Sequence, residues 1–385
     1  MFAAGGWTLG AWGMSVDVAD LVERFRSDTN AGFSDDELAK LDAAATTDLW
    51  AAKIAGYLHF KRRNLPQAAL LMARVAAREP SSENIINLAV LHRDAGNLEA
   101  AVAVLTARQA ELEPIRFHDM MCSCLGHYGR LDEAREHGTA ALRLKDESAP
   151  AVPPREFHLA GLDLANPARQ VIAFSLFGSE QRYIRGALNN TVVARYLYPG
   201  WTPRFYVDES VPEEARRLLA QNGGQIVAVA GLPAADYGLF WRFLVEDDPN
   251  VGLYLVRDAD SVMNVKERAA VAAWLRSGRA FHVMRDHIQH SELMLAGMWG
   301  AHRGNLGQMT PKLRSFVSGL GMRVNFVHRD QHFLRTEIWP IVRQSVYVND
   351  DQFGFGEVHL YDPDYALPRS MHIGQDDWVH YRRKD

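Results

Sequence analysis

Apolar positions follow different patterns in the two halves of this 385-residue chain. In the second half they form short continuous runs, which are typical of strands buried on both faces of a parallel sheet. Five such strands are predicted, at Val171–Phe177, Pro203–Val207, Gln225–Val229, Val251–Val256 and Ala280–Met284. Helical patterns separate them, at Tyr183–Leu197, Pro212–Asn222, Gly238–Val245 and Val265–Arg276. This alternation predicts a mainly parallel sheet with helices on both faces.

The first half shows helical periodicity and an internal repeat. Leu65, Leu98 and Leu131 are spaced 33 residues apart, and an alanine follows each of them three positions later. A small residue there lets two helices approach closely. The segment resembles the tetratricopeptide repeat family, with three repeats over about Asp48–Glu147, although its signature aromatic residues are mostly missing. The helix Ser34–Ala45, with Ser34 as N-cap, is predicted to cap the stack.

Prolines mark the predicted boundaries. Pro80 and Pro114 are expected to close the first two repeats, because a proline inside a helix stops it. The proline-rich segment 148–154 is expected to divide two domains. The predicted organisation is an unstructured leader at 1–13, a helical domain at 14–150, a linker at 151–169 and an α/β domain at 170–385.

Composition and charge argue against several classes of protein. A formal net charge of −5 argues against a dedicated nucleic-acid binder. No apolar run reaches the roughly 18 residues that a membrane span needs. The leader carries no lysine or arginine ahead of its apolar stretch, unlike a secretory signal. The only two cysteines, Cys122 and Cys124, suit a reducing compartment, so the protein is expected to be cytoplasmic.

Two carboxylates follow the fourth predicted strand. Asp258 and Asp260 stand one residue apart at its carboxyl end, where open α/β sheets bind their ligands. Paired carboxylates of this kind favour Mg²⁺ or Mn²⁺, and such an ion neutralises charge on a diphosphate leaving group. The glycine patterns of dinucleotide-binding folds and P-loop NTPases, and the nucleophile elbow of α/β hydrolases, are absent from the sequence.

Residues 170–378 resemble a glycosyltransferase of the GT-A fold, which uses nucleotide-sugar donors. The matching segments, in order, are Phe174–Ser179, Tyr237–Phe243, Asp258–Asp260, His328–Leu334 and Met371–Gly374. The resemblance implies that Asp258, Asp260 and His372 hold Mn²⁺ or Mg²⁺. It also implies donor contacts from the metal-binding aspartates together with Phe177 and Arg242.

Catalytic and acceptor residues are predicted beside these. Asp330 and Asp286 compete for the roles of general base and of the residue that orients the donor sugar, with loop capping as the alternative for Asp286. His287, Trp299 and Gln331 are predicted to contact acceptor or sugar, and Trp299 is equally compatible with the core. Arg242 equally fits a structural pairing with a carboxylate.

A zinc pair formed by His287 and His290 has suitable spacing, but no third ligand is evident, so no zinc site is predicted.

The resulting hypothesis is a metal-dependent glycosyltransferase that moves a sugar from a nucleotide-diphosphate donor to a protein or glycan acceptor. The helical repeats would recruit that acceptor or a partner, and self-association as a homodimer is the alternative. Two other functions compete: a non-catalytic interaction protein with a degenerate transferase domain, and a nucleotidyltransferase. The nucleotidyltransferase is disfavoured because the loop Gly178–Arg182 lacks the glycine-rich basic character of the loops in that class of enzyme. Retaining and inverting stereochemistry both stay open.

Overall fold

The computed structural model describes residues 16–28, 31–320, 329–368 and 371–376. It divides into two compact units, Met1–Leu144 and Lys145–Asp385. The predicted leader lies outside the described residues, as does His328. Within the described ranges, every helix is too short or too polar to cross a lipid bilayer.

The first unit is helical throughout its described part. Its helices, the last of which runs on into the second unit, are α1 (Val16–Ser27), α2 (Asp35–Ala44), α3 (Leu49–Lys61), α4 (Leu65–Arg78), α5 (Ser82–Asp94), α6 (Leu98–Ala107), α7 (Pro114–His127) and α8 (Leu131–Glu147). Helix α3 packs against α4, and α5 packs against α6. The three repeat alanines, Ala68, Ala101 and Ala134, have no exposed surface. These are helical pairs with buried small residues, and membership of the tetratricopeptide family stays a prediction.

The ends of these helices follow local chemistry. The predicted N-cap is confirmed: the Ser34 hydroxyl accepts the N–H of Glu37, and the Glu37 carboxylate accepts the N–H of Ser34 at 2.8 Å. Pro80 lies between α4 and α5, and Pro114 lies between the second and third repeats as the first residue of α7, so no helix continues through either proline. Proline is tolerated in a first helical turn, where its missing N–H would have had no intrahelical partner.

The second unit is built on one sheet. In the part of the chain that the structure describes, eight strands pair in the order β3-β2-β1-β4-β6-β5-β7-β8. They are β1 (Gln170–Leu176), β2 (Thr202–Val207), β3 (Gln225–Ala228), β4 (Leu253–Arg257), β5 (Phe281–Arg285), β6 (Trp299–His302), β7 (Val346–Asp350) and β8 (Val358–His359). Only β6 runs antiparallel to its neighbours among these strands. The mainly parallel sheet is confirmed, whereas β6, β7 and β8 were not predicted.

Helices connect the strands. They are α9 (Gln181–Leu197), α10 (Glu213–Gln221), α11 (Ala234–Tyr237), α12 (Val265–Ser277), α13 (Met309–Gly319), α14 (Arg329–Phe333) and α15 (Trp339–Val342). A π-helical turn, Leu334–Ile338, joins the last two. The predicted helix Gly238–Val245 is a 3₁₀ segment, Gly238–Asp247, which lies against β1 and has buried aromatic residues.

The sheet order creates a switch point. From β1 the chain adds β2 and then β3 on one side, and it then returns to place β4 on the other side of β1. Open α/β sheets bind ligands at the carboxyl ends of the strands that flank such a point. The carboxyl ends of β1 and β4 are therefore the place to look for a site.

Candidate functional site

A cavity of about 480 Å³ lies at the carboxyl ends of β1 and β4. Its size falls in the range of about 300–1,000 Å³ that is common for small-molecule sites. Six of the predicted site residues line it: Phe177, Arg242, Asp258, Asp260, Asp330 and Gln331. The other wall residues include Tyr183, His290, Gly297 and Met298.

The loop that carries Asp258 and Asp260 is held by close glycine contacts. A Cβ on Gly186 of α9 would overlap the carbonyl oxygen of Ala259 and lie 2.7 Å from the Cα of Asp260. A Cβ on Gly297 would overlap the carboxylate of Asp258. Because any larger side chain at either glycine would displace this loop, the two glycines fix where the carboxylates stand.

The two carboxylates repel each other. Burial, followed by the negative charge of Asp258, raises the pKa of Asp260 from its ordinary value of 3.8 to about 6. Arg182 offsets part of this effect, with its guanidinium 3.5 Å from Asp260 and 3.4 Å from Asp376. A cation bound between the two aspartates would relieve the same repulsion.

Arg242 pairs with two carboxylates of the cavity wall. It is only 4% exposed, and its guanidinium pairs with the carboxylate of Asp258 and, at 2.7 Å, with that of Asp330. Burial lowers the pKa of Arg242, but the two carboxylates outweigh it and leave that pKa above its ordinary value. The planar guanidinium suits this double pairing, since its donors point in fixed directions. The geometry thus shows the structural pairing with carboxylates that was the alternative predicted for Arg242. The residue also lines the cavity.

Asp330 and Gln331 enter the site from α14. The second carboxylate oxygen of Asp330 accepts the backbone N–H of Gln331 at 2.9 Å, so both oxygens of this carboxylate are oriented. Phe177 follows β1 and packs edge-on against Trp241, with ring centroids 5.7 Å apart. These two segments lie on opposite sides of Arg242 in the chain, and only the fold brings them to one cavity.

Arg182 was missed by the sequence reasoning. It lies in the first turn of α9, and its guanidinium stacks over the ring of Tyr183 at 4.4 Å from the centroid. The available signal was its place directly after β1, where a cation can face an anionic ligand.

Asp286, unlike Asp330, is not among the residues that line the cavity, and its predicted catalytic role stays a prediction. Its side chain is 2% exposed and accepts the backbone N–H of Ile373 at 3.0 Å. It also pairs with Lys266 at 3.1 Å. Burial raises the pKa of Asp286, and these partners oppose that shift. Asp286 therefore anchors the segment around Ile373 to the end of β5.

His287 and His372 also lie off the cavity wall. Among the described residues, ring nitrogens of His372, His287 and His290 lie close enough together to share a metal ion. Asp258 and Asp260 are not part of this cluster. The metal set predicted from Asp258, Asp260 and His372 therefore stays a prediction, which this arrangement does not display. The physical reason is local, because Asp286 holds Ile373 next to His287 and His290 and so fixes the neighbouring His372 there.

Trp299 belongs to the core. It lies in β6 with no exposed surface, and its ring packs edge-on against Tyr254 and at a tilt against Phe243. The sugar-stacking role predicted for it is wrong, since no face of the ring is open to a ligand.

Comparison with known proteins leaves the family open. No protein-family model matches the chain, and no curated protein matches it. Among solved structures, a mutant O-GlcNAc transferase from Thermobaculum terrenum is 18% identical with a TM-score of 0.38, over 64% of this chain and 47% of that one. A 4-diphosphocytidyl-2C-methyl-D-erythritol synthase from Anaerococcus prevotii is 10% identical with a TM-score of 0.31, over 55% of this chain and 92% of that one. This chain thus spans about half the length of the first structure, and TM-scores this low carry no argument about activity.

Proposed function

We propose that the unit Lys145–Asp385 is a glycosyltransferase that takes a sugar from a nucleotide-diphosphate donor, with Mn²⁺ or Mg²⁺ held by Asp258 and Asp260. The observation that carries this proposal is the placement of the two carboxylates. They follow β4 at the switch point of the sheet, they line a cavity of about 480 Å³, and close glycine contacts fix their loop.

The carboxylates of Asp258 and Asp260 suit such an ion. Carboxylate oxygens are the ligands that Mg²⁺ and Mn²⁺ prefer. The pKa of Asp260 is raised to about 6 by burial and by Asp258, which marks negative charge that a bound cation would compensate. When bound, the ion would supply charge neutralisation at the diphosphate that leaves the sugar.

The remaining side chains have roles that follow from their positions. Arg182, at the cavity edge beside Asp260, supplies positive charge for the phosphates. Phe177 offers a half-buried aromatic surface for the nucleobase. Arg242 orients Asp330, whose carboxylate is the remaining candidate for contact with the sugar or the acceptor hydroxyl. The helical unit Met1–Leu144 would recruit the acceptor or a partner protein.

A ligand screen followed by an activity assay tests the proposal. We expect UDP-, GDP- or dTDP-sugars to raise the melting temperature in the presence of Mn²⁺ and not in EDTA. Saturation at 100 times Kd corresponds to about 2.7 kcal/mol. CMP-sugars, which carry a single phosphate, serve as the chemical control and should have little effect. The best donor is then followed for metal-dependent hydrolysis and transfer.

Variants decide whether the aspartates carry the reaction. Asp258→Asn and Asp260→Asn should abolish both donor stabilisation and turnover, while Glu209→Gln, an exposed position in the same unit, should retain both. Equal turnover in the aspartate variants and the wild type would refute the proposal. Binding without turnover would favour the non-catalytic interaction protein, and release of pyrophosphate from a nucleoside triphosphate and a sugar phosphate would favour a nucleotidyltransferase.

A further inference from the structure

Three histidines from two distant segments meet beside the cavity. His287 and His290 follow β5, and His372 lies in the segment 371–376. One nitrogen from each ring lies within 4.8 Å of the others. The ring centroid of His372 lies 4.4 Å from that of His287 and 5.0 Å from that of His290. We propose that His287, His290 and His372 bind a divalent transition-metal ion of the zinc class, at a site separate from Asp258 and Asp260.

The ligand chemistry separates the two sites. Imidazole nitrogen suits Zn²⁺, Co²⁺ and Ni²⁺, whereas a pair of carboxylates suits Mg²⁺ and Mn²⁺. Three protein ligands and an open position form the usual arrangement of a reactive zinc site. The histidine cluster therefore selects a different class of ion from the carboxylate pair, although His290 lines the same cavity.

The surroundings orient two of the three rings. The Nδ1 atom of His372 lies 2.8 Å from the carbonyl oxygen of Ile373 and donates to it when protonated, which leaves Nε2 for a metal. The Nδ1 atom of His290 accepts the backbone N–H of Asp286 at 3.4 Å and lies 3.6 Å from the carboxylate of the same residue. A metal-binding histidine regularly donates from its second nitrogen to a carbonyl or a carboxylate. His290 reaches that arrangement when its Nδ1 takes the proton and turns from the N–H of Asp286 to the carboxylate, which leaves Nε2 for a metal.

Asp286 connects the two segments of the cluster. The carboxylate that faces His290 also accepts the backbone N–H of Ile373, the residue after His372. This one buried side chain thus sets the distance between the segments that carry the histidines. This anchoring of the two segments is the support that a metal site requires.

Positive charge near the cluster is compensated. The nearby Lys266 is paired with Asp286 and Asp351, which limits its repulsion of a bound ion.

Binding requires a small closure. Zn–N distances of about 2.0–2.1 Å in a tetrahedral site place ligand nitrogens about 3.4 Å apart, closer than the outer limit of the cluster. His287 must also release the contact in which its Nδ1 accepts the N–H of Gln289 at 3.2 Å, because a neutral ring has one lone pair. It then binds the ion with that Nδ1 lone pair or, after Nδ1 takes the proton, with Nε2. The position of His290 on the cavity wall leaves the fourth coordination place for water or an anionic oxygen ligand on that side.

Titration of the metal-stripped full chain with Co²⁺ tests this proposal. We expect one equivalent to bind with the visible absorption of a four-coordinate ion and to be displaced by Zn²⁺. His290→Ala and His372→Ala should weaken Co²⁺ binding by tenfold or more. His359→Ala, which removes a ring in the same unit outside the cluster, should bind as the wild type does. Asp258→Asn with Asp260→Asn should also retain Co²⁺, which distinguishes this site from the proposed donor site.

A second measurement tests the proposal if the alanine variants fail to fold. X-ray absorption of the zinc-loaded wild type should show imidazole coordination, with three nitrogen ligands. His287→Gln alters a half-buried member of the cluster and should weaken binding while leaving the thermal unfolding of the metal-free protein unchanged. The absence of stoichiometric Co²⁺ binding to the wild type would overturn the proposal. So would undiminished binding by a folded His290→Ala/His372→Ala variant, or loss of binding in the aspartate variant.

Discussion

Asp260 is expected to destabilise the fold when no cation is bound. Its pKa is raised from 3.8 to about 6 because burial and the charge of Asp258 disfavour the ionised carboxylate. This difference corresponds to roughly 3 kcal/mol as an upper value for the cost of ionising Asp260 in the folded protein. Asp260→Asn keeps the shape of the side chain and removes the charge, so it should stabilise the metal-free protein at pH 7.5.

The pH dependence fixes the sign of this effect. Below about pH 4 the carboxyl is protonated in both the folded and the unfolded state, and the variant has no advantage. Between pH 4 and 6 the unfolded state loses its proton first, so the wild type loses stability relative to the variant as the pH rises. Above pH 6 the difference should be constant. It would reach several degrees in melting temperature, since 1 kcal/mol corresponds to about 2–4 °C in a protein of this size.

Thermal unfolding of both proteins in EDTA, from pH 4 to 8, measures this difference. Glu209→Gln supplies the control and should stay within about 0.5 kcal/mol of the wild type at every pH. Saturating Mn²⁺ should then reverse the order, because only the wild type keeps both carboxylates for the ion. A stability difference that does not change between pH 4 and 8, or a variant less stable than the wild type in EDTA at pH 7.5, would refute the reasoning.

Three further substitutions test the packing of the site. Gly186→Ala should destabilise the unit by about 1–3 kcal/mol in urea unfolding and weaken donor binding, because the new Cβ overlaps the backbone of Ala259, whereas Gly161→Ala meets nothing within 4 Å and should be neutral. Trp299→Ala should cost about 3–5 kcal/mol of unfolding free energy, and unchanged stability with weaker donor binding would contradict its place in the core. Arg242→Met leaves two carboxylates without their cation and should cost about 3–5 kcal/mol at pH 7.5, with a smaller cost at pH 4 as the check.

The parallel part of the sheet was predictable from the sequence for a physical reason. Strands buried on both faces are apolar at most positions, and β1 and β4 read as near-continuous apolar runs, with Ser175 as the interruption in β1 and Arg257 at the end of β4. The strand β6 has four residues and includes Gly300, so neither its length nor its periodicity marks it. The space beside Gly300 is filled by Leu255 of β4, a contact between strands that no local pattern reports.

The part of the candidate site that follows directly after one strand was predictable from the sequence. Asp258 and Asp260 line the cavity because they follow a buried strand, and that relation is local in the sequence. The resemblance placed Arg242 and Asp330 near them, and the ion pair between these two residues spans 88 positions. The position of His372 depends on a segment that returns from the C-terminal end of the chain, and no local pattern reports where such a segment packs.

Asp286 shows how the geometry of the region after β5 departs from what its sequence suggests. A carboxylate beside two histidines at a strand end has the appearance of catalytic machinery, and a cavity does lie near it. The side chain is nevertheless 2% exposed, and its oxygens are taken by Lys266 and the N–H of Ile373. A buried carboxylate with those partners fixes the relative position of two chain segments, and the groups it positions, His290 and His372, are the ones left with nitrogens for a ligand. The polar residues of this region therefore act in two layers, in which Asp286 holds the histidines and the histidines face the ion that we propose.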